Sequence, residues 1–112
     1  MSMGATKSEE FSVKDNRIAK YAKALSHPAR IAIMKMLMKH NACVCGDIVD
    51  VLPLSQSTVS QHLKELKRAG LIKGDIEGAT VCYCVDAKEL KAAQDCLNEL
   101  FDSCRNSTAE CC

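Results

Sequence analysis

No stretch of this 112-residue sequence approaches the roughly 20 consecutive apolar residues needed to cross a bilayer. The opening MSMGATKSEEF also lacks the apolar middle of a secretory signal. The expected address is therefore the cytosol, with no membrane partner. There is no phosphate-binding loop, no nucleophile–base arrangement, no internal repeat and no low-complexity tract. The reading is accordingly not an enzyme, with no catalytic cofactor.

Against these absences stand eight cysteines. Outside the cell they would suggest a disulfide scaffold, but helical periodicity and the missing signal favour metal or redox chemistry. The net charge of +1 hides an uneven spread, +5 over residues 1–40 and −3 over 86–112. Between them Lys64, Lys67, Arg68 and Lys73 face a single acid, Glu65, over 55–73. A dimer could double such a patch on one side, so a near-neutral total leaves phosphate binding open.

At this length and 47% apolar content one domain is expected, over residues 12–103, with a flexible arm at 1–11 and a cysteine-containing flexible tail at 104–112. A first helix should start near Ser12, with Asp15 three residues on, and carry Ile18, Tyr21, Ala22 and Leu25 on one face. Pro28 suits the first turn of a second helix, which runs to about His40 with Ile31, Met34, Leu37 and Met38 at core spacing. A short helix over about 47–52, with Ile48, Val51 and Leu52 inward, stops at LPLS. Ser55 then caps a helix to Ala69 that ends at Gly70. LIKGDIEGATVCYCVD gives two strands around a turn at Glu77-Gly78, marked by Leu71, Val81, Tyr83 and Val85. A last helix from about Ala87 carries Leu90, Ala93, Leu97, Leu100 and Phe101. The fold class is mainly α with a two-stranded hairpin, in the order α-α-α-α-β-β-α.

Two helices joined by the tight PLS turn are the signature of a helix-turn-helix. On the second, Val59, Leu63 and Leu66 share one narrow sector and must face inward. The opposite face presents Ser57, Gln61, Lys64 and Arg68, flanked by Thr58 and Ser60, with Ser55 and Gln56 at its start. Hydroxyls and amides there can reach base edges, and the cations can hold the phosphate backbone. A merely solvated face is the plainer alternative; the turn before it and the hairpin after it favour DNA.

ALSHPARIAIMKML, then LPLSQSTVSQHLKELKRAGLI, then a hairpin holding Tyr83, together resemble the arsenic-repressor (ArsR/SmtB) family of winged helix-turn-helix metalloregulators, over residues 15–103. The resemblance implies a homodimer joined through its first and last helices. It would bind operator DNA through the helix 56–69 with the hairpin as a wing, and be released by a metal or metalloid. In that family a Cys-Val-Cys-Asp-Leu-Cys box often captures trivalent arsenic or antimony, and Cys43 and Cys45 match its first two thiols. The third is absent, since Gly46, Asp47 and Ile48 follow.

Two sulfurs satisfy an organoarsenical, whereas inorganic As(III) prefers three. The first candidates for the third are Cys111 and Cys112, followed by Cys104 or a cysteine of a second subunit. At a helix start both Cys43 and Cys45 could converge on one ion, and the helix dipole favours thiolate. Cys82 and Cys84 share one face of a strand, where small-residue packing outweighs a second dithiol site. Cys96 is expected to pack at the dimer seam. Zinc sensors of the family use a His and carboxylate set on the last helix, and residues 87–103 contain no histidine. His27 is expected to cap or to lie on the surface, His40 to be solvated and His62 to pack half-buried. The methionines are expected as core filler. The leading reading is a metalloid-released dimeric repressor. The alternatives are a thiol-redox DNA-binding repressor and a thiol-rich metal-sequestering protein without DNA binding.

Overall fold

The computed structural model describes residues 10–39, 43–45, 52–75 and 82–106. Helix α1 spans Val13–Ala24, and its start is fixed by Ser12, whose hydroxyl accepts from the Asp15 N–H at 3.0 Å. Tyr21 and Ala24 are buried, Ile18 and Leu25 are half-buried, and Ala22 faces out.

Helix α2 spans Pro28–Lys39. His27 Nδ1 accepts from the Ala29 N–H at 3.0 Å, so the histidine does cap this helix. The buried ridge is Ala29, Ile33, Met34 and Leu37, while Ile31 and Met38, expected in the core, are exposed. PARIAIMKMLMK is apolar on several sides, so periodicity does not choose its inner face. Packing against the next helix and the sheet does.

Val44–Cys45 form a short strand, β1, which the sequence did not suggest. The helix expected over 47–52 lies outside the described residues, apart from half-buried Leu52. Helix α3 spans Gln56–Arg68 and buries Val59, Leu63 and Leu66 as expected, with His62 beside them. It ends in a Schellman motif: the Gly70 N–H donates to the Lys67 carbonyl at 2.9 Å and the Leu71 N–H to Leu66 at 3.1 Å. Gly70 makes this possible at φ +87°.

Strands β2 (Ile72–Asp75) and β3 (Cys82–Val85) form the hairpin, whose expected turn at Glu77-Gly78 lies outside the described residues. The sheet is antiparallel in the order β1-β3-β2, so β3 is central. Gly74, at φ +125°, lies where a Cβ would stand 2.2 Å from the Cys82 carbonyl oxygen. Helix α4 spans Ala87–Asp102, capped by Asp86, which accepts from the Glu89 N–H at 3.2 Å, and a 3-10 turn follows at Ser103–Asn106. The core centres on fully buried Tyr21, Ile33, Leu66, Leu71, Ile72 and Tyr83. This is the winged helix-turn-helix class, mainly α with a hairpin wing. No helix among the described residues is long and apolar enough to cross a membrane.

Candidate nucleic-acid interface and thiol site

The start of α3 is a small hydroxyl cluster. Ser55 Oγ accepts from the Thr58 N–H at 3.3 Å and lies 2.9 Å from Thr58 Oγ1 and 3.2 Å from Ser57 Oγ. Ser55, Gln56, Ser57, Gln61 and Arg68 are exposed, and Thr58, Ser60 and Lys64 are half-buried. Burying Val59, Leu63 and Leu66 turns this polar face outward, along a helix whose last turn is cationic. Arg68 pairs with Glu65 while its side chain stays 71% exposed, so it is open to exchange for a phosphate. Lys67 Nζ donates to the Gly74 carbonyl at 2.6 Å, tying the helix to the wing.

Behind this face His62 is 8% exposed, deeper than half-buried. Its Nδ1 accepts from Arg30 Nε at 3.1 Å, and its ring lies 4.4 Å from that of His27. Burial pushes its pKa down, with His27 and the Arg30 charge acting in the same direction. A neutral imidazole is what this acceptor role needs.

The thiols are arranged differently from the sequence reading. Cys43 precedes and Cys45 ends the short strand β1, while the helix start expected just after them lies outside the described residues. In the β1–β3 ladder Val44 stands opposite Tyr83, and Cys45 stands opposite Cys82. The cysteine pairs expected to be separate are therefore neighbours. The neighbouring thiol of exposed Cys43, followed by burial, raises the Cys84 pKa, with Lys73 opposing. Cys82 is disulfide-bonded. Cys43 and Cys84 lie in the wall of a cavity of about 650 Å³, with Leu37, Met38, Val85 and Leu90 as apolar neighbours and Lys73 and Lys91 as cations.

Among the described residues no three His, Cys, Asp or Glu side chains gather as a ready metal cage. Cys96 packs half-buried against the core and Cys104 is an exposed free thiol. Cys111 and Cys112, candidates for a third sulfur, lie outside the described residues, as does His40. The sequence reading missed the meeting of the two cysteine pairs. The usable signal was that both Cys-x-Cys segments alternate around a bulky residue, Val44 or Tyr83, as two partnered strands would.

Residues 27–73 match the family described as bacterial regulatory protein, arsR family. The transcriptional activator HlyU of Vibrio cholerae is 38% identical over 79 residues, covering 70% of this chain and 72% of HlyU. The solved structure of HlyU from that organism aligns at a TM-score of 0.62 and 32% identity, over 81% of this chain and 98% of that one. The transcriptional repressor PagR of Bacillus anthracis is 33% identical over 94 residues, 84% of this chain and 92% of PagR. A cadmium resistance transcriptional regulatory protein, the CadC homolog of Staphylococcus aureus, is 37% identical over 75 residues, 66% of this chain and 61% of its own. With the capped recognition helix, the wing and these relatives together, the chain belongs to the arsR family of bacterial transcriptional regulators, DNA-binding proteins of the helix-turn-helix type.

Proposed function

We propose that this regulator represses transcription as a homodimer on operator DNA, and that trivalent arsenic or antimony, inorganic or organic, releases it when captured by cysteine thiolates. The observation that carries this reading is the juxtaposition of Cys43 and Cys84, which the β1–β3 register brings face to face in the wall of one cavity. It joins a thiol of the segment leading to α3 with a thiol of the wing, so an ion held there pulls on both elements expected to touch DNA. Soft sulfur donors suit a thiophilic centre, and the apolar cavity wall offers room for an organic substituent. Capture weakens DNA binding only if it favours a geometry that fits DNA poorly.

Support for the homodimer comes from apolar side chains left uncovered at the start of the first helix and the end of the last. Phe11 is 61%, Val13 82% and Phe101 65% exposed, around a Lys14–Glu99 ion pair that bridges α1 and α4. Such a patch is costly on an isolated chain and suits an isologous interface.

The test is duplex binding by fluorescence anisotropy with the protein's own upstream DNA. Arsenite or phenylarsine oxide should release wild type and leave Cys43→Ser bound. An unchanged complex with both arsenicals would refute the reading. The Cys82 disulfide favours a second reading, in which oxidation itself switches DNA binding. That reading expects release by peroxide and rescue by a thiol reductant with no metalloid present.

A further inference from the structure

The register places four cysteines on two rungs of one ladder. Cys45 stands opposite Cys82. Continuing the same antiparallel register by two residues sets Cys43 opposite Cys84, and both line the same cavity. Residues directly opposite are about 5 Å apart, and positions two apart on a strand are about 7 Å apart on the same face. Tyr83, between the two wing cysteines, is buried, while Cys82 and Cys84 are half-buried.

Resting on the function proposed above, we propose that Cys82 and Cys84 of the wing join Cys43 and Cys45 in one site for a trivalent thiophilic centre, opened by reduction of the Cys82 disulfide. The third sulfur that inorganic As(III) needs then comes from the wing, and the tail cysteines Cys111 and Cys112 are not required. The chemistry balances without any change of oxidation state at arsenic. A small thiol reductant first gives its two hydrogens to the disulfide, leaving two protein thiols and becoming a disulfide itself. Arsenous acid then exchanges three As–O bonds for three As–S bonds, and each thiol proton leaves with a hydroxide as water. While the Cys82 disulfide is intact, Cys43 and Cys84 remain as a pair. That pair accepts an arsenical that keeps one carbon bond, with its organic group among Leu37, Met38, Val85 and Leu90. The redox state of Cys82 thus sets which arsenicals the site can hold.

The test uses the full chain, reduced and then freed of reductant. Arsenite is added at one equivalent per subunit, remaining thiols are alkylated, and each cysteine is scored by peptide mass. Protection should fall on three thiols per arsenic drawn from Cys43, Cys45, Cys82 and Cys84, at least one of them on the wing, with Cys96, Cys104, Cys111 and Cys112 alkylated as they are without arsenite. Protection of Cys111, Cys112 or Cys104 in place of the wing cysteines would overturn the site, as would no protection at all. In the same assay Cys82→Ser/Cys84→Ser should bind arsenite about tenfold or more weakly, because one tethered bond is lost, and Cys111→Ser/Cys112→Ser should match wild type. Equal affinity in all three would refute it.

Without prior reduction, wild type should bind phenylarsine oxide but take up arsenite about tenfold or more weakly, and equal uptake of both refutes the redox control. Operator release is read separately. Arsenite held on these four cysteines without release leaves the site standing and refutes the function, whereas release through tail thiols does the reverse.

Discussion

The Tyr21 hydroxyl donates a hydrogen bond to the Glu89 carboxylate, joining the first helix to the last across the back of the domain. Lys20 Nζ stands 3.6 Å from the same carboxylate. The Tyr21 bond is the main reason the Glu89 carboxyl lies below its ordinary pKa, and burial holds the Tyr21 phenol above its own. Tyr21→Phe should keep the ring packing and cost about 1.5–3 kcal/mol, the usual loss of a hydrogen bond to a charged group. Urea unfolding at neutral pH measures it, and a difference under about 0.3 kcal/mol would show that Lys20 alone satisfies Glu89.

Gly74 is the position where the wing tolerates no side chain. Alanine there would be forced to φ +125° with its Cβ 2.2 Å from the Cys82 carbonyl oxygen and 2.8 Å from Tyr83 Cα. A cost on the order of 3 kcal/mol is expected, concentrated in β2 and β3. Hydrogen exchange should show those amides losing protection before the helices do; uniform protection would contradict the close approach.

Stability should fall as the solution is acidified below about pH 6.5, the ordinary histidine value. His62 has a lowered pKa in the fold, so the unfolded chain takes up its proton first, and the stability present above pH 6.5 is lost as pH drops toward the folded value. His62→Gln should flatten the slope between pH 7 and pH 5, which thermal melts across that range would reveal. An unchanged slope would remove His62 as its source.

On the α3 face, Lys64→Ala and Gln61→Ala should weaken operator binding in different ways. Loss of one phosphate contact reduces the slope of log affinity against log salt by about 0.9, which is the expectation for Lys64. Gln61 should leave that slope alone and relax discrimination between sequences by about 1–3 kcal/mol. Salt titrations against two duplexes separate them, and identical behaviour of the two variants would place one of these side chains off the DNA.

Phe101→Glu places a charge in the uncovered apolar patch at the end of α4. Sedimentation should show a shift toward monomer with parallel loss of DNA affinity, and the isolated fold should be unharmed, because Phe101 buries little within its own chain. A dimer of unchanged strength would move the interface elsewhere.

Much of this fold was legible because local signals agreed with one another. Ser12 and Ser55 cap the helices they precede, Gly70 closes α3, and Val59, Leu63 and Leu66 face inward. Where the pattern was ambiguous, tertiary packing decided: Ile33 took the place expected for Ile31 because α2 is apolar on several sides. The polar face of α3 was also readable. The thiol arrangement was not, since Cys43 and Cys84 are forty-one residues apart in sequence and no local rule pairs them. A two-residue strand is too short to announce itself, so β1 appeared only once β3 was there to receive it.

Tyr83 acts as a ruler for the wing. Anchored in the core at 1% exposure, it fixes the phase of β3, and the residues on either side must then point the other way. A one-residue insertion or deletion beside Tyr83 would reverse that phase, sending a cysteine toward the core and the aromatic ring toward solvent. Changes of length there should therefore be tolerated only in pairs. The spacing of the thiols is thus set by the hydrophobic core, which they do not enter.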